Sequence, residues 1–344
     1  MARKLKTSKG SVYNISAMSF GALSKNAILA LNRGAAEGSF YHNTDEGSLS
    51  DYHLEGGGDI VWQIGTGYFG CRTREGRFAP EAFAKKASHD HVKMIELKLS
   101  QGAKPGHGGV LPAAQNSEEI ARIRMVKPHT TVISPPGHCE FENSGGLLKF
   151  IARLRELSGG RPIGFKLCIG RKSEFEEICE EMKKTGIYPD FITVDGAEGG
   201  TGAAPLEYSD SVGIPLEPAL KFVDKTLRRY ELRDEIKIIA SGKVITAAQL
   251  IKMLALGADL CNSARAFMLA IGCIQALRCN SNNCPTGVAT QKPELMKGLV
   301  VEEKYRRVAN FHRNTIKAVR ELMASCGITR PEDLTPDLFM HGWQ

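Results

Sequence analysis

Three cysteines, Cys273, Cys279 and Cys284, fall within twelve residues in the spacing C-x5-C-x4-C, and Pro285 comes next. A structural zinc wants a fourth Cys or His in register, and none lies between 273 and 292. A redox dithiol reads C-x-x-C, which this segment lacks. Thiolate spacing that ends in Cys-Pro fits an iron-sulfur cluster, and free thiols are the other reading the spacing leaves open. A second chemical oddity is Lys166 in the apolar run Ile163 to Ile169. A lysine there needs an anionic partner or loses its charge. An ion pair inside the fold would serve, and so would a reduced flavin, whose ring carries negative charge near N1.

Other candidates cluster where short apolar runs end. Asn43-Thr44-Asp45-Glu46-Gly47, Gln101-Gly102-Ala103-Lys104-Pro105-Gly106, Asp195-Gly196-Ala197-Glu198-Gly199-Gly200-Thr201-Gly202, Ser241-Gly242-Lys243 and Asn262-Ser263-Ala264-Arg265 are all polar and mostly rich in glycine. In the last two groups Gly242, Lys243, Ser263 and Arg265 supply backbone N–H donors, a hydroxyl and two cations, which is what a phosphate needs. Solvated cations beside a tight turn are the plainer alternative.

To bring such endings together, the chain must repeat one structural unit. β-rich runs at Tyr13 to Met18, Ser39 to Asn43, Lys93 to Leu99, Thr130 to Ser134, Ile163 to Ile169, Phe191 to Val194, Ile236 to Ala240 and Leu260 to Asn262 alternate with helix-period segments. Ser173-x-x-Glu176 and Thr246-x-x-Gln249 have capping-box form, and the segment 147–158 is apolar on one side. Runs apolar on both faces suit parallel strands under helices. Eight such units predict an α/β fold, a closed (β/α)8 TIM barrel over 1–344 with its core at 13–327. An extended loop region is expected after strand 2, at residues 48–90, and a cysteine-rich loop after strand 8. Gly65-Thr66-Gly67-Tyr68-Phe69-Gly70 spells a dinucleotide fingerprint, but the adjoining Cys71-Arg72-Thr73-Arg74-Glu75-Gly76 starts no helix to hold a pyrophosphate.

Composition excludes several classes. With 42% hydrophobic and 24% charged residues the chain can bury a large core. No apolar run approaches the ~20 residues of a membrane span. The basic start Met1 to Lys6 leads into no apolar stretch, so a cytoplasmic protein without a signal peptide is expected. The net charge of +7 comes without a basic block, which suits anionic small ligands and not nucleic acid. The cysteines number nine, an odd count, and the six outside the trio are scattered, unlike a secreted disulfide framework.

The chain resembles the FMN-binding synthase domain of glutamate synthase over residues 13–327. The resemblance is carried by Ala17-Met18-Ser19-Phe20-Gly21, Gln101 to Gly106, Ile133-Ser134-Pro135-Pro136, Gly199 to Ala203 and Cys284-Pro285-Thr286-Gly287-Val288-Ala289-Thr290-Gln291. It implies FMN, bound by Met18, Ser19, Lys166, Gly199, Gly200, Thr201, Gly242, Lys243, Ser263, Ala264 and Arg265, and a 3Fe-4S cluster on Cys273, Cys279 and Cys284. It implies a 2-oxoglutarate site at Glu46, Lys104 and Arg124, with Glu46, Lys104 and Lys166 catalytic.

The reaction so implied is reductive amination of a 2-oxoacid with ammonia or an amine. Electrons pass from an external donor through the cluster to FMN. Val110 departs from the family, which has glutamine there, so 2-oxoglutarate is expected to bind less tightly. No Cys follows Met1, and no ferredoxin run or usable dinucleotide loop is found. The expected partners are therefore a ferredoxin or an NAD(P)H-oxidising subunit, and a glutaminase subunit. A flavin-free phosphate-binding barrel of the IMP dehydrogenase type and a non-catalytic binding subunit are the alternatives.

Overall fold

The computed structural model describes residues 11–200 and 204–338. Its strands are β1 (Tyr13–Ile15), β2 (His42–Asn43), β3 (Ile60–Ile64), β4 (Val92–Lys98), β5 (Val110–Leu111), β6 (Val132–Ile133), β7 (Ile163–Leu167), β8 (Phe191–Asp195), β9 (Lys237–Ser241) and β10 (Leu260–Ser263). The helices are α1 (Lys25–Gly38), α2 (Asp51–Glu55), α3 (Pro80–Ala87), α4 (Glu118–Arg124), α5 (Ser144–Leu157), α6 (Lys172–Thr185), α7 (Leu216–Arg229), α8 (Ala247–Ala255), α9 (Arg265–Ala270), α10 (Pro293–Met296) and α11 (Val301–Ser325). Eight parallel strands close in the order β1-β10-β9-β8-β7-β4-β3-β2, a (β/α)8 barrel. The remaining two, β5 and β6, pair antiparallel by themselves.

The predicted fold class therefore holds, with one member of the ring exchanged. Thr130 to Ser134, expected as a barrel strand, contributes only β6, whose Ile133 is 68% exposed. The strand that takes its place is β3, inside the segment expected to be a loop. Glycines on both sides make that segment look loose, yet they mark close approach. A Cβ on Gly56 would lie 2.3 Å from Asn32 Oδ1, and one on Gly65 would lie 2.3 Å from Glu46 Oε2. The long excursion consequently comes after β4, where β5, α4 and β6 intervene before α5.

Helix packing follows the apolar periodicity. Helix α5 buries Leu147, Leu148, Phe150, Ile151 and Leu154 on one side. The expected capping box at Thr246 forms, with the Gln249 side chain reaching back. The one expected at Ser173 does not, because α6 already starts at Lys172. Glu176 instead pairs with Arg229 at 2.8 Å. Helix α11 lies along α1, and a Cβ on Gly34 would come within 2.5 Å of Val308 Cγ1. Glycine is what lets these two helices touch and close the ring.

Inside the barrel, Tyr41, Val61, Phe191 and Ile239 form an apolar floor. Above it the lining turns polar toward the C-terminal strand ends. Lys98 and Lys166 are register partners on adjacent strands. Like charges so placed repel, so each must find its own carboxylates.

Buried imidazoles give the fold a pH dependence of definite sign. Burial pulls His53, His138 and His312 down to about 4. Unfolded, each binds its proton at about 6.5. Between those values the unfolded chain holds more protons, so stability must fall as pH drops from about 6.5 toward 4. The loss is of order 2–3 kcal/mol for each fully buried ring at 1.36 kcal/mol per pH unit. Urea midpoints at pH 7, 6, 5 and 4.5 should descend steadily; a midpoint constant over that range would contradict the burial of these rings.

Candidate active site at the barrel mouth

A single cavity lies over the C-terminal ends of the barrel strands. Met18, Ser19, Glu46, Lys104, Val110, Arg124, Lys166, Gly199, Gly200, Gly242, Lys243, Ala264 and Arg265 line it, together with Cys273, Cys279 and Cys284. The structure thus brings together nearly every residue singled out in the sequence. Thr201 lies outside the described residues. Ser263 is buried, and its Oγ accepts from Ala266 N at 3.4 Å, so it serves the start of α9 and does not line the cavity.

Charge at one end is arranged in pairs. Asp45 and Glu46, on the turn after β2, approach Lys98 Nζ at 3.3 and 3.5 Å. Burial alone would lower Lys98, but the two carboxylates outweigh it and raise its pKa. Burial likewise works to raise Asp45, and Lys98 overcomes it, holding the acid below its ordinary range. Lys166 meets Asp195 Oδ2 at 3.2 Å, and Asp195 also accepts from Gly102 N at 2.8 Å. The anionic partner that Lys166 requires is therefore supplied by the protein itself, without a flavin.

Two cations are left over. Among the described residues neither Lys104 nor Arg124 forms a salt bridge, although they are only 3% and 5% exposed. Burial lowers the Lys104 ammonium, with Glu46 opposing and Lys98 adding to the effect. Burial lowers Arg124 as well, but a guanidinium remains charged at neutral pH. Arg124 Nη2 donates to Phe20 O at 3.3 Å, its guanidinium carbon lies 5.3 Å from the Phe69 ring centre, and its Nε has no partner. Packing limits where Glu46 can go, since a Cβ on Gly109 would stand 1.8 Å from its Oε1. The apolar residues Val110, Leu111 and Val132 of the β5–β6 pair line this end.

The other end is made of strand termini. Gly242 has φ 147° and Lys243 φ 53°, so the turn after β9 bends in a way that favours glycine at its start. Lys243 Nζ reaches Asp210 at 3.5 Å, and Arg265 Nη1 donates to Gln275 Oε1 at 2.5 Å. Gly200 faces Arg265 Nη2, which a Cβ there would meet at 3.4 Å. Backbone N–H groups and two cations around an open floor fit a phosphate group.

The cysteines share the cavity but not a ligand geometry. Among the described residues no group of three or more His, Cys, Asp and Glu side chains converges to hold a metal. Burial works against the Cys284 thiolate, yet hydrogen bonds from the Thr286 side chain and from backbone N–H groups of Thr286, Val288 and Ala289 outweigh it and lower the pKa. Cys273 Sγ accepts from Gln275 N at 3.4 Å. The arrangement as it stands does not fit a three-thiolate cluster.

Several contributors escaped the sequence reading. Lys98 is as anomalous in β4 as Lys166 is in β7, and the same test would have found it. Asp45 enters the sequence reading only as part of a polar strand ending, and nothing local pairs it with Lys98 or Tyr68 with His138. His138 Nδ1 takes the Tyr68 hydroxyl at 2.9 Å while Nε2 lies 2.8 Å from Lys98 O. This staples the Gly65–Gly70 turn to β4. No helix starts there, and α3 begins only at Pro80, so the dinucleotide-like spelling has no pyrophosphate site.

Comparison with known proteins agrees with this geometry. Residues 5–329 match the family described as the conserved region in glutamate synthase. Glutamate synthase large subunit-like protein YerD of Bacillus subtilis (strain 168) is 48% identical over 317 residues, covering 92% of this chain and 60% of that protein. The archaeal glutamate synthase (NADPH) of Methanocaldococcus jannaschii is 36% identical over 321 residues, 93% of this chain and 60% of the other. Ferredoxin-dependent glutamate synthase 2 of Synechocystis sp. (strain ATCC 27184 / PCC 6803 / Kazusa) is 32% identical over 348 residues, 92% of this chain and 21% of the other. The chain spans about 60% of the length of the first two. Among solved structures, the flavin-binding domain of baker's yeast flavocytochrome b2 superimposes with TM-score 0.55 at 14% identity, over 95% of this chain and 68% of that one. That likeness shows the fold. The closed parallel barrel and the match over residues 5–329 together establish that the chain belongs to the glutamate synthase family.

Proposed function

We propose that this chain, acting as one barrel unit over residues 1–344, is the synthase part of a glutamate synthase-type oxidoreductase. It would reductively aminate a 2-oxoacid, 2-oxoglutarate or a relative, with ammonia or an amine. The observation that carries this reading is the pair of buried cations, Lys104 and Arg124, facing a cavity beside Glu46 without a salt bridge among the described residues. A buried charge without a partner costs several kcal/mol, and a dicarboxylate acceptor would relieve both.

The residues divide the work. Lys104 and Arg124 hold the acceptor's carboxylates, Glu46 stands by to move a proton, and Lys98 keeps Glu46 oriented. Val110 makes one wall apolar, which weakens the grip on 2-oxoglutarate by about 1–3 kcal/mol if a polar group of the acceptor goes unpaired there. FMN fits the rest of the cavity: Gly242, Lys243, Ala264 and Arg265 would receive its phosphate, and Met18, Ser19, Gly199, Gly200 and Lys166 would border its ring. When bound, it supplies the hydride that reduces the acceptor's C2 carbon. Val110, Leu111 and Val132 make the wall at that end of the cavity apolar.

The 3Fe-4S assignment rests on the spacing of Cys273, Cys279 and Cys284, their place on the cavity wall and the stabilised Cys284 thiolate. Because their sulfurs do not converge as placed, no step is derived through a cluster. Names of relatives point to NADPH in one case and ferredoxin in another. We assign the electron donor to a ferredoxin or an NAD(P)H-oxidising subunit, and glutamine hydrolysis to a separate glutaminase.

Purified protein should be yellow and contain stoichiometric FMN. Lys166→Met should lower flavin content and make the midpoint potential more negative, because a cation that favours the anionic reduced ring is lost and Asp195 is left unpaired. Flavin quantification and a redox titration check this. Unchanged content and potential would remove Lys166 from the flavin site.

A further inference from the structure

Below the acceptor end lies a carboxylate that the proposed chemistry leaves without a task. Glu96, on β4, is 1% exposed. Asn43 Nδ2 and Gln63 Nε2 donate to its Oε2 at 2.8 and 2.5 Å, and Thr193 Oγ1 donates to its Oε1 at 2.5 Å. Both amides turn their NH2 ends to the same carboxylate oxygen and their own oxygens away from it. For Gln63 the outcome is unfavourable, since its Oε1 is buried without a partner among the described residues. The needs of the carboxylate, then, and not those of the amides, set their orientation.

For Asn43 the outcome has a use. Its Oδ1 receives the Asp45 N–H at 3.0 Å. Asp45 sits at φ 57°, a left-handed conformation that Asp tolerates better than most residues with a side chain and that a local hydrogen bond helps select. In that conformation its carboxylate and that of Glu46 both reach Lys98.

We propose that Glu96 is a positioning residue, which by fixing the Asn43 amide sets the left-handed turn at Asp45 and so aims Asp45 and Glu46 at Lys98. Its consequence for turnover rests on the reading of this end as the acceptor site; its consequence for Lys98 does not. Lys98 is faced by Asp45 and Glu46 from the turn after β2, by Lys166 from β7 and by Lys104 from the loop after β4, with His138 against its carbonyl.

The test tracks Lys98 directly, in flavin-free as well as flavin-loaded protein. Lysines labelled with 13C and 15N at the side-chain end are titrated by NMR, with the Lys98 signal assigned by its loss in Lys98→Met. In Asn43→Ala and in Glu96→Met the Lys98 titration should move down by at least about one pH unit, the size of one lost charge interaction. Glu96→Gln should restore it, because an amide oxygen can still accept from Asn43 while the Thr193 hydroxyl turns to receive the NH2. Thr193→Val, which removes a donor to the same carboxylate but leaves Asn43 alone, should lower the unfolding temperature without moving Lys98. If Glu96→Met does not fold, Asn43→Ala still decides.

The proposal is overturned if Thr193→Val shifts Lys98 as far as Asn43→Ala does, or if Asn43→Ala leaves it in place. In loaded protein, Asn43→Ala should raise the 2-oxoglutarate concentration needed for half-maximal rate by about tenfold, the factor for one hydrogen bond to a charged group. A shifted Lys98 with an unchanged response to 2-oxoglutarate would uphold the positioning role and count against the acceptor assignment instead.

Discussion

Arg124→Met is expected to weaken binding of the 2-oxoacid about 10- to 150-fold, the range for a charge-assisted hydrogen bond worth 1.5–3 kcal/mol. The same substitution should leave the fold as stable as before, or more so. Arg124 is buried, and among the described residues its Nε has no partner and it forms no salt bridge. An uncompensated buried charge is a cost to folding. Met replaces it with an apolar chain of similar length that can rest on the Phe69 ring. The combination of lost binding and retained or raised stability separates a ligand-holding residue from a structural one. Thermal unfolding and equilibrium titration with 2-oxoglutarate, done on the same preparation, read both quantities. Unchanged affinity with a markedly lower unfolding temperature would make Arg124 structural.

Gly109→Ala should be more damaging to turnover, although it adds only a methyl group. The new Cβ would stand 1.8 Å from Glu46 Oε1 and 3.2 Å from Ser134 Oγ. Glu46 must then swing away, breaking its contact with Lys98 and its place beside Lys104. Misplacing a reacting group by about 1 Å can cost about 100-fold in rate. Gly106→Ala, a few residues away, is the matched control. Among the described residues nothing lies within 4 Å of its new Cβ, and its φ of 75° resists the change. It should cost about 1 kcal/mol in stability and leave the rate near that of the parent. Equal rates for the two variants would contradict the placement of Glu46 between Gly65 and Gly109.

Particular residues show how much the sequence reveals. The alternation of apolar runs with capped amphipathic helices leads to the closed barrel, and the polar strand endings lead to one cavity. The exchange of Thr130–Ser134 for Ile60–Ile64 arises because glycine has two uses. Around β3 it marks contacts too close for a Cβ, as at Gly56 and Gly65, while composition alone reads it as looseness. Lys166 stands out in an apolar strand, but its partner Asp195 is 29 residues away and is found only through strand register. Arg124 entered through family resemblance, since nothing in helix α4 says that its last residue points into the mouth. Asn43, Glu96 and Lys98 depend on which side of a strand faces inward. For Asn43 that face belongs to a β2 of two residues, too short to show alternation, while Glu96 and Lys98 lie on the seven-residue β4. The cysteines illustrate the converse, because spacing that suggests a cluster does not by itself bring three sulfurs together.

The central claim is that the mouth of this barrel passes hydride to an aminated 2-oxoacid held by Lys104 and Arg124. It is tested most directly by reducing the flavin-loaded protein with an artificial reductant, excluding oxygen, and adding 2-oxoglutarate with ammonia, methylamine or glutamine in turn. The expected result is reoxidation of the flavin with 2-oxoglutarate and ammonia, glutamate forming in equal amount, and little reoxidation when glutamine is the only nitrogen source. A flavin that stays reduced with every 2-oxoacid and nitrogen source offered would contradict the account.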